Sequence, residues 1–109
     1  MAGLDPAIQS RCTVMRRGYV YIMASKRNGT LYLGVTSDLA ERVTQHKEGR
    51  GSEFAKKYGV TCLVWYEEHA WVTDAIQRET SLKRWPRKWK LELIEKMNPD
   101  WRDLFVDLF

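Results

Sequence analysis

From Tyr19 the chain alternates in a strand-like way. Tyr19-Val-Tyr-Ile-Met-Ala24 and Thr30-Leu-Tyr-Leu-Gly-Val-Thr36 are runs rich in β-branched and aromatic residues. Between them stands Lys26-Arg27-Asn28-Gly29, whose Asn-Gly step tolerates the positive φ of a tight hairpin turn. Successive strand side chains leave opposite faces. Pairing the runs therefore sorts Tyr19, Tyr21, Tyr32 and Gly34 to one face, with Val20, Ile22, Leu31, Leu33 and Val35 on the other. The aliphatic face is the expected core; the tyrosine face is available for something else.

A helical rhythm follows over 39–48, with Ser37 or Asp38 as cap, Glu41 three residues after Asp38 as in a capping box, and Gly49 as the stop. A short second helix is expected from Ser52 through Tyr58 to Gly59, and Val60–Tyr66 reads as a third strand. A third helix follows a Thr73 cap to about Trp85, with its apolar stripe at Val72, Ala75, Ile76 and Leu82. Pro86 opens a fourth helix through Met97, with Trp89, Leu93 and Met97 along one face, and Asn98-Pro99 ends it. Trp101, Leu104 and Phe105 can fold back as a closing turn. The order β-β-α-α-β-α-α predicts an α+β fold: a small three-stranded antiparallel sheet flanked by helices. Residues 1–17, with Gly3 and Pro6 and no apolar period, read as a flexible N-terminal tail, and residues 18–109 as one domain.

Composition narrows this picture. With 109 residues, 44% of them hydrophobic, the chain can bury one modest core. No apolar run approaches the ~18 residues of a membrane span, and none near the start resembles a secretory signal; a cytoplasmic protein without a membrane partner is expected. Cys12 and Cys62 lie far apart without zinc-site spacing and read as free thiols. The net charge of +4 permits a polyanionic partner without requiring one.

Four features carry candidate chemistry. The tyrosine face is either ordinary strand packing or a site where Gly34 leaves room for a substrate. Arg42 and His46, four apart, share a helix face: a solvated pair, or a guanidinium gripping phosphate beside an imidazole that can move a proton. Glu79 falls on the apolar stripe of the third helix, where a carboxylate needs compensation. Its reading is a structural ion pair with an arginine or a divalent-metal ligand. Lys83-Arg84-Trp85-Pro86-Arg87-Lys88-Trp89-Lys90 places five cations around two indoles, as a basic helix junction or as a surface for phosphate contact with aromatic stacking.

Tyr19-Val20-Tyr21, then Tyr32-Leu33-Gly34, with Arg42 and His46 on the next helix and Glu79 beyond the third strand, resembles the GIY-YIG nuclease superfamily. The likeness is to small stand-alone members related to the nuclease module of the excinuclease C subunit, and it spans about residues 18–104. Val and Leu replace isoleucines of the motifs, which keeps the positions apolar. The resemblance implies a metal-dependent endonuclease hydrolysing a DNA phosphodiester, linked to repair or recombination. Tyr21, Tyr32, Arg42, His46 and Glu79 would form the catalytic set, and Glu79 would hold one Mg²⁺ or Mn²⁺ with waters. Arg42 would stabilise the charged phosphorus centre. Tyr21 would serve as base, which an ordinary phenol with a pKa of about 10 does poorly without help, and Tyr32 would position water or phosphate. Tyr19, Lys83, Arg84, Arg87 and Lys88 are the expected nucleic-acid contacts. No small-molecule cofactor is implied. Asn98 matches either an asparagine that many relatives carry at the site or a helix end.

Two other function classes compete: a nucleic-acid-binding module that keeps the fold without turnover, and a protein-interaction domain using exposed Trp and Tyr. Metal-dependent cleavage separates the first from a nuclease, and salt-sensitive DNA binding separates the second. Little in the chain could read base edges, so any preference is expected to be for DNA form. DNA and RNA are not distinguished by the sequence, nor is an oligomeric state.

Overall fold

The structure, a computed structural model, describes residues 17–109. The expected tail, apart from Arg17, and Cys12 lie outside these residues. Strands β1 (Gly18–Ala24) and β2 (Leu31–Thr36) form the hairpin, followed by α1 (Leu39–Lys47) and α2 (Glu53–Tyr58). Then come β3 (Cys62–His69), α3 (Val72–Lys83), α4 (Arg87–Met97) and a closing 3-10 turn (Leu104–Leu108). The sheet is antiparallel in the order β2-β1-β3, so Tyr21 sits on the central strand and β2 is an edge. This is the expected α+β arrangement.

Local chemistry accounts for the element ends. The hairpin turns at Asn28, whose φ of 58° is the positive value that the Asn-Gly step anticipates. Asp38 caps α1 by accepting the Glu41 N–H at 3.1 Å. Ser52 caps α2 by accepting from the N–H groups of Phe54 and Ala55, and Gly59 at φ 64° ends that helix in the left-handed region.

The hairpin register sets Tyr21 opposite Gly34 and Met23 opposite Tyr32. On one side of the sheet Val20, Ile22, Leu33 and Val35 pack with Val72, Ala75 and Leu82 of α3 and Ile94 of α4. On the other, Tyr21, Met23 and Tyr32 pack with Leu39 and Val43 of α1, Ala55 of α2 and Leu104 of the closing turn. The division into two faces is as expected, but the tyrosine face is no open surface. α1, α2 and the closing turn cover it, so the molecule has a core on each side of its sheet.

Three further details depart from expectation through tertiary packing. Thr73 lies inside α3, whose N-cap is Trp71 without a side-chain cap bond. Val72 falls in the first turn instead, its Cα packed 2.8 Å from where a Cβ on Gly18 would stand. In α4 the buried residue is Ile94; Trp89 and Met97 are largely exposed, so the helix is rotated from the face expected. Strand β3 starts at Cys62 and continues to His69, with a bulge at Val64: Ile22 faces Trp65 while Met23 faces Leu63. Val64 and Trp65 consequently both join the aliphatic core.

Asn98 braces that bulge. It is buried at the end of α4, its amide donates to the carbonyls of Val64 at 3.2 Å and Arg102 at 2.8 Å, and its own oxygen accepts from the Arg102 N–H. Of its two readings, the structure bears out the helix end.

Candidate active site

Tyr21 leaves β1 toward α1 and its ring lies across Gly34 of β2. A Cβ on Gly34 would come within 2.6 Å of the Tyr21 hydroxyl and 2.7 Å of Cζ, so only glycine admits the ring in this pose. The room that glycine leaves is thus filled by the protein's own phenol. From there the hydroxyl meets His46 Nε2 at 2.9 Å, in a hydrogen bond buried from solvent. With the imidazole nitrogen as acceptor, the phenol donates.

His46 reaches this position because α1 crosses the tyrosine face with Val43 and His46 turned inward. Tyr32 supports the imidazole edge-on, with ring centroids 4.9 Å apart. Gly51 closes the far side of His46, where a Cβ would fall 2.4 Å from Nδ1. Arg42, one turn before His46, donates to the Gly51 carbonyl at 2.7 Å and to Gln45 Oε1 at 2.9 Å. Phenol, imidazole and guanidinium are therefore held by one strand, one helix and the loop before α2.

Glu79 stands apart from this group. Helix α3 packs on the aliphatic side of the sheet, against β1 and β2. The Glu79 side chain is only 7% exposed, and its ion pair is with Lys83 Nζ at 2.8 Å, one turn along. Among the described residues the structure does not bring Glu79 into hydrogen-bond or ion-pair contact with Tyr21, Tyr32, Arg42 or His46. Its compensating cation is not an arginine but a lysine on a flexible stem, itself about a third exposed. Among the described residues no three His, Cys, Asp or Glu side chains cluster as a ready-made metal cage.

Residues 17–92 match the GIY-YIG catalytic domain. The chain belongs to the GIY-YIG family. It is similar to a UPF0213 protein of Staphylococcus haemolyticus, with 34% identity over 82 residues that cover 75% of this chain and 99% of the relative. A UPF0213 protein of Bacillus pumilus is 34% identical over 79 residues, which cover 72% of this chain and 80% of that one. The solution NMR structure of a UPF0213 protein from Bacillus halodurans aligns with a TM-score of 0.51 at 25% identity, covering 80% of this chain and 92% of that structure. These are small relatives, and the family is one of nucleases.

Within this GIY-YIG domain, Tyr19 shares the face of Tyr21 but lies toward the start of α1. There it lines a cleft of about 190 Å³ with Ser37, Asp38, Leu39, Ala40 and Leu108. Partial burial, reinforced by the Glu68 carboxylate and opposed by Arg17, raises its pKa and keeps the phenol neutral. The basic run divides. Arg87 is engaged by the hairpin turn, donating to the carbonyls of Asn28 at 2.8 Å and Gly29 at 2.7 Å, whereas Arg84 and Lys88 are exposed. Trp85 and Trp89 meet edge to face at 5.8 Å, and Arg78 lies 5.4 Å over Trp85.

Sequence reasoning missed Gly51, Gln45 and Phe54. The close pair Gly49 and Gly51 after α1 is the signal that a backbone must pass near something there. Phe54, whose ring lies 6.2 Å from Tyr32, is paired in sequence only with Tyr58 four residues on, a spacing that marks a shared helix face and not contact with Tyr32.

Proposed function

We propose that the protein is a divalent-metal-dependent endonuclease that hydrolyses a phosphodiester of DNA, with residues 18–109 as the working unit. The observation that carries this reading is the Tyr21–His46 hydrogen bond of 2.9 Å, with Arg42 one helical turn away, in a chain of this nuclease family. A lone phenol is a weak base, because its unperturbed pKa is about 10. The pairing removes that difficulty. Once a nucleophilic water reaches the Tyr21 hydroxyl, which α1, α2 and the closing turn cover in this structure, its proton passes to the Tyr21 oxygen as it attacks phosphorus, while the phenol proton passes to His46 Nε2. Tyr21 stays neutral and the imidazole carries the charge. Arg42 binds the phosphate oxygens, its guanidinium fixed in orientation by Gly51 and Gln45. Tyr32 keeps the imidazole plane in place.

The residues present fit Mg²⁺ or Mn²⁺. A single, nearly buried carboxylate is the kind of protein ligand that Mg²⁺ takes when waters and substrate phosphate complete its shell. Glu79 would hold the cation in place of its present ion-pair partner, Lys83. A cation held there would offset negative charge on a phosphate brought to Glu79. Lys83, Arg84 and Lys88 offer cations for the flanking backbone, Arg87 adding to the field while it holds the hairpin turn. Tyr19 contributes a neutral phenol at the rim.

Glu79→Gln tests this assignment. Cleavage of labelled duplex, branched and single-stranded DNA in Mg²⁺ or Mn²⁺ should fall by orders of magnitude, while DNA binding persists. Because Lys83 can reach solvent, the stability loss should stay near 1 kcal/mol, between exposed and sealed ion pairs. Wild-type protein without Mg²⁺-dependent cleavage on any of these DNAs, or a variant that cleaves normally, would overturn the reading.

A further inference from the structure

Helix α2 links the site to the surface through a run of aromatic rings. His46 and Tyr32 are in edge contact, Tyr32 lies 6.2 Å from Phe54, and Phe54 lies 4.9 Å from Tyr58. The first two are buried, but Phe54 is 40% and Tyr58 47% exposed. They are four residues apart and share a helix face. Lys57 stands 5.5 Å over the Tyr58 ring, and an open cleft of about 600 Å³ runs along Glu53, Phe54, Lys56, Lys57 and Tyr58. The cleft has two cations to one anion. It is also fastened to the site, because Gly51, whose carbonyl binds Arg42 and whose backbone abuts His46, immediately precedes the α2 cap.

We propose that Phe54 and Tyr58 form a stacking platform for unpaired DNA bases beside the scissile phosphate. The inference rests on the nuclease reading and adds to it a preference for substrate form. Every base has a π-face, so aromatic rings with flanking lysines bind a strand without reading its sequence. A paired base has both faces occupied by its neighbours and offers none to the protein. The platform therefore favours overhangs, flaps and single strands over blunt duplex. The continuity from Tyr32 to Phe54 singles out this cleft. The indole cleft of about 400 Å³ at Trp85, Trp89, Glu92, Leu93 and Lys96 shares no residue with the site.

The test is binding in EDTA, so that no turnover is needed. Four probes of equal length are used: a single-stranded oligonucleotide, the same strand carrying abasic positions, a blunt duplex and a duplex with a single-stranded overhang. Wild type should prefer the single strand and the overhang. Phe54→Ala with Tyr58→Ala should bind them about 10- to 100-fold more weakly. On the abasic strand, where backbone charge is kept and bases are missing, wild type and variant should be equal. The salt slope should not change, because no phosphate contact is lost. Tyr58→Trp should retain affinity, and Tyr58→Ala alone, at a half-exposed site, carries the test if the double variant unfolds. Equal losses on abasic strand and blunt duplex, no loss on any probe, or no wild-type preference for unpaired DNA would overturn the proposal. The two readings fail separately. A protein that stacks strands through these rings but never cleaves them ends the nuclease reading, and one that cleaves with ring-independent affinity ends the platform.

Discussion

Each face of the sheet closes over a glycine, and the two faces use the space differently. On the aliphatic face a Cβ on Gly18 would meet the Val72 Cα at 2.8 Å and the Ala75 Cβ at 2.9 Å, so its absence lets the α3 backbone settle on β1. On the tyrosine face the missing Cβ of Gly34 admits the Tyr21 ring and sets its hydroxyl against His46. The first glycine makes a closer core; the second makes a buried polar pair. A hydroxyl and an imidazole removed from water are tolerated because each satisfies the other, and together they can move a proton. The aliphatic side is packed by side chains of α3 and α4, whereas the tyrosine side holds the buried phenol–imidazole pair.

The contrast is sharpest in substitutions that remove similar bulk from adjacent β1 residues. Tyr21→Phe takes one oxygen from the tyrosine face, and cleavage per folded molecule should fall by about 100- to 10,000-fold. Its stability change should be near 1 kcal/mol, the net worth of one hydrogen bond. Ile22→Val takes one methylene from the aliphatic face, and the order should invert: about 0.5–1.5 kcal/mol of stability lost, with cleavage per folded molecule unchanged. Single-turnover rates on labelled DNA together with thermal melts would read both. Equal effects of the two substitutions on cleavage would erase the distinction between the faces.

The glycines come next in size. Gly34→Ala and Gly18→Ala should each cost about 1–3 kcal/mol by overpacking. Only Gly34→Ala should also slow cleavage beyond its unfolded fraction, because it displaces the Tyr21 ring. Combining it with Tyr21→Leu should shrink its stability penalty, a coupling that Gly18→Ala should lack. Additive penalties at Gly34 would mean that the ring is not what the glycine accommodates.

This division was partly legible in the sequence. Alternation at Tyr19–Ala24 and Leu31–Thr36 specified which residues share a face, and Asn28, Asp38 and Ser52 marked their turns and caps by local chemistry. The spacing of Arg42 and His46 placed them on one stripe. Long-range packing decided the rest. No pattern in Val60–Tyr66 announces the bulge at Val64, since its brace, Asn98, lies 34 residues away. Thr73 looked like a cap until Val72 was needed against Gly18. The stripe Trp89, Leu93 and Met97 is real in spacing, but α4 docks through Ile94. That Tyr21 meets His46 follows only once α1 is seen to pack on the tyrosine face, and Glu79, legible as an anomaly, pairs with Lys83 rather than with the arginine of its structural reading.

The smallest effect expected concerns acid. Asp103 ties the tyrosine-face cover together: it pairs with Lys47 of α1 and accepts the N–H groups of Leu63 on β3 at 3.2 Å and Phe105 in the closing turn at 3.1 Å. Burial pushes its carboxyl up, but the Lys47 hydrogen bond, the Phe105 and Leu63 N–H groups and the Lys47 charge outweigh it. The pKa ends below the ordinary 3.8. A depressed carboxylate adds stability that is present above the unfolded-state value and is lost as pH falls through the folded one. Because the pair is partly solvated, with side chains 29% and 32% exposed, the amount is screened to about 0.5 kcal/mol. Melting temperature should therefore decline below about pH 4, and part of that decline should vanish in Asp103→Asn, which keeps the N–H acceptor and removes the charge. The cover over Tyr21 and His46 loosens with it, so the tyrosine face should gain amide exchange in acid before the α3 face does. An unchanged acid slope in Asp103→Asn, or exchange rising first in α3, would show that the Asp103 tie does not govern the cover of the tyrosine face.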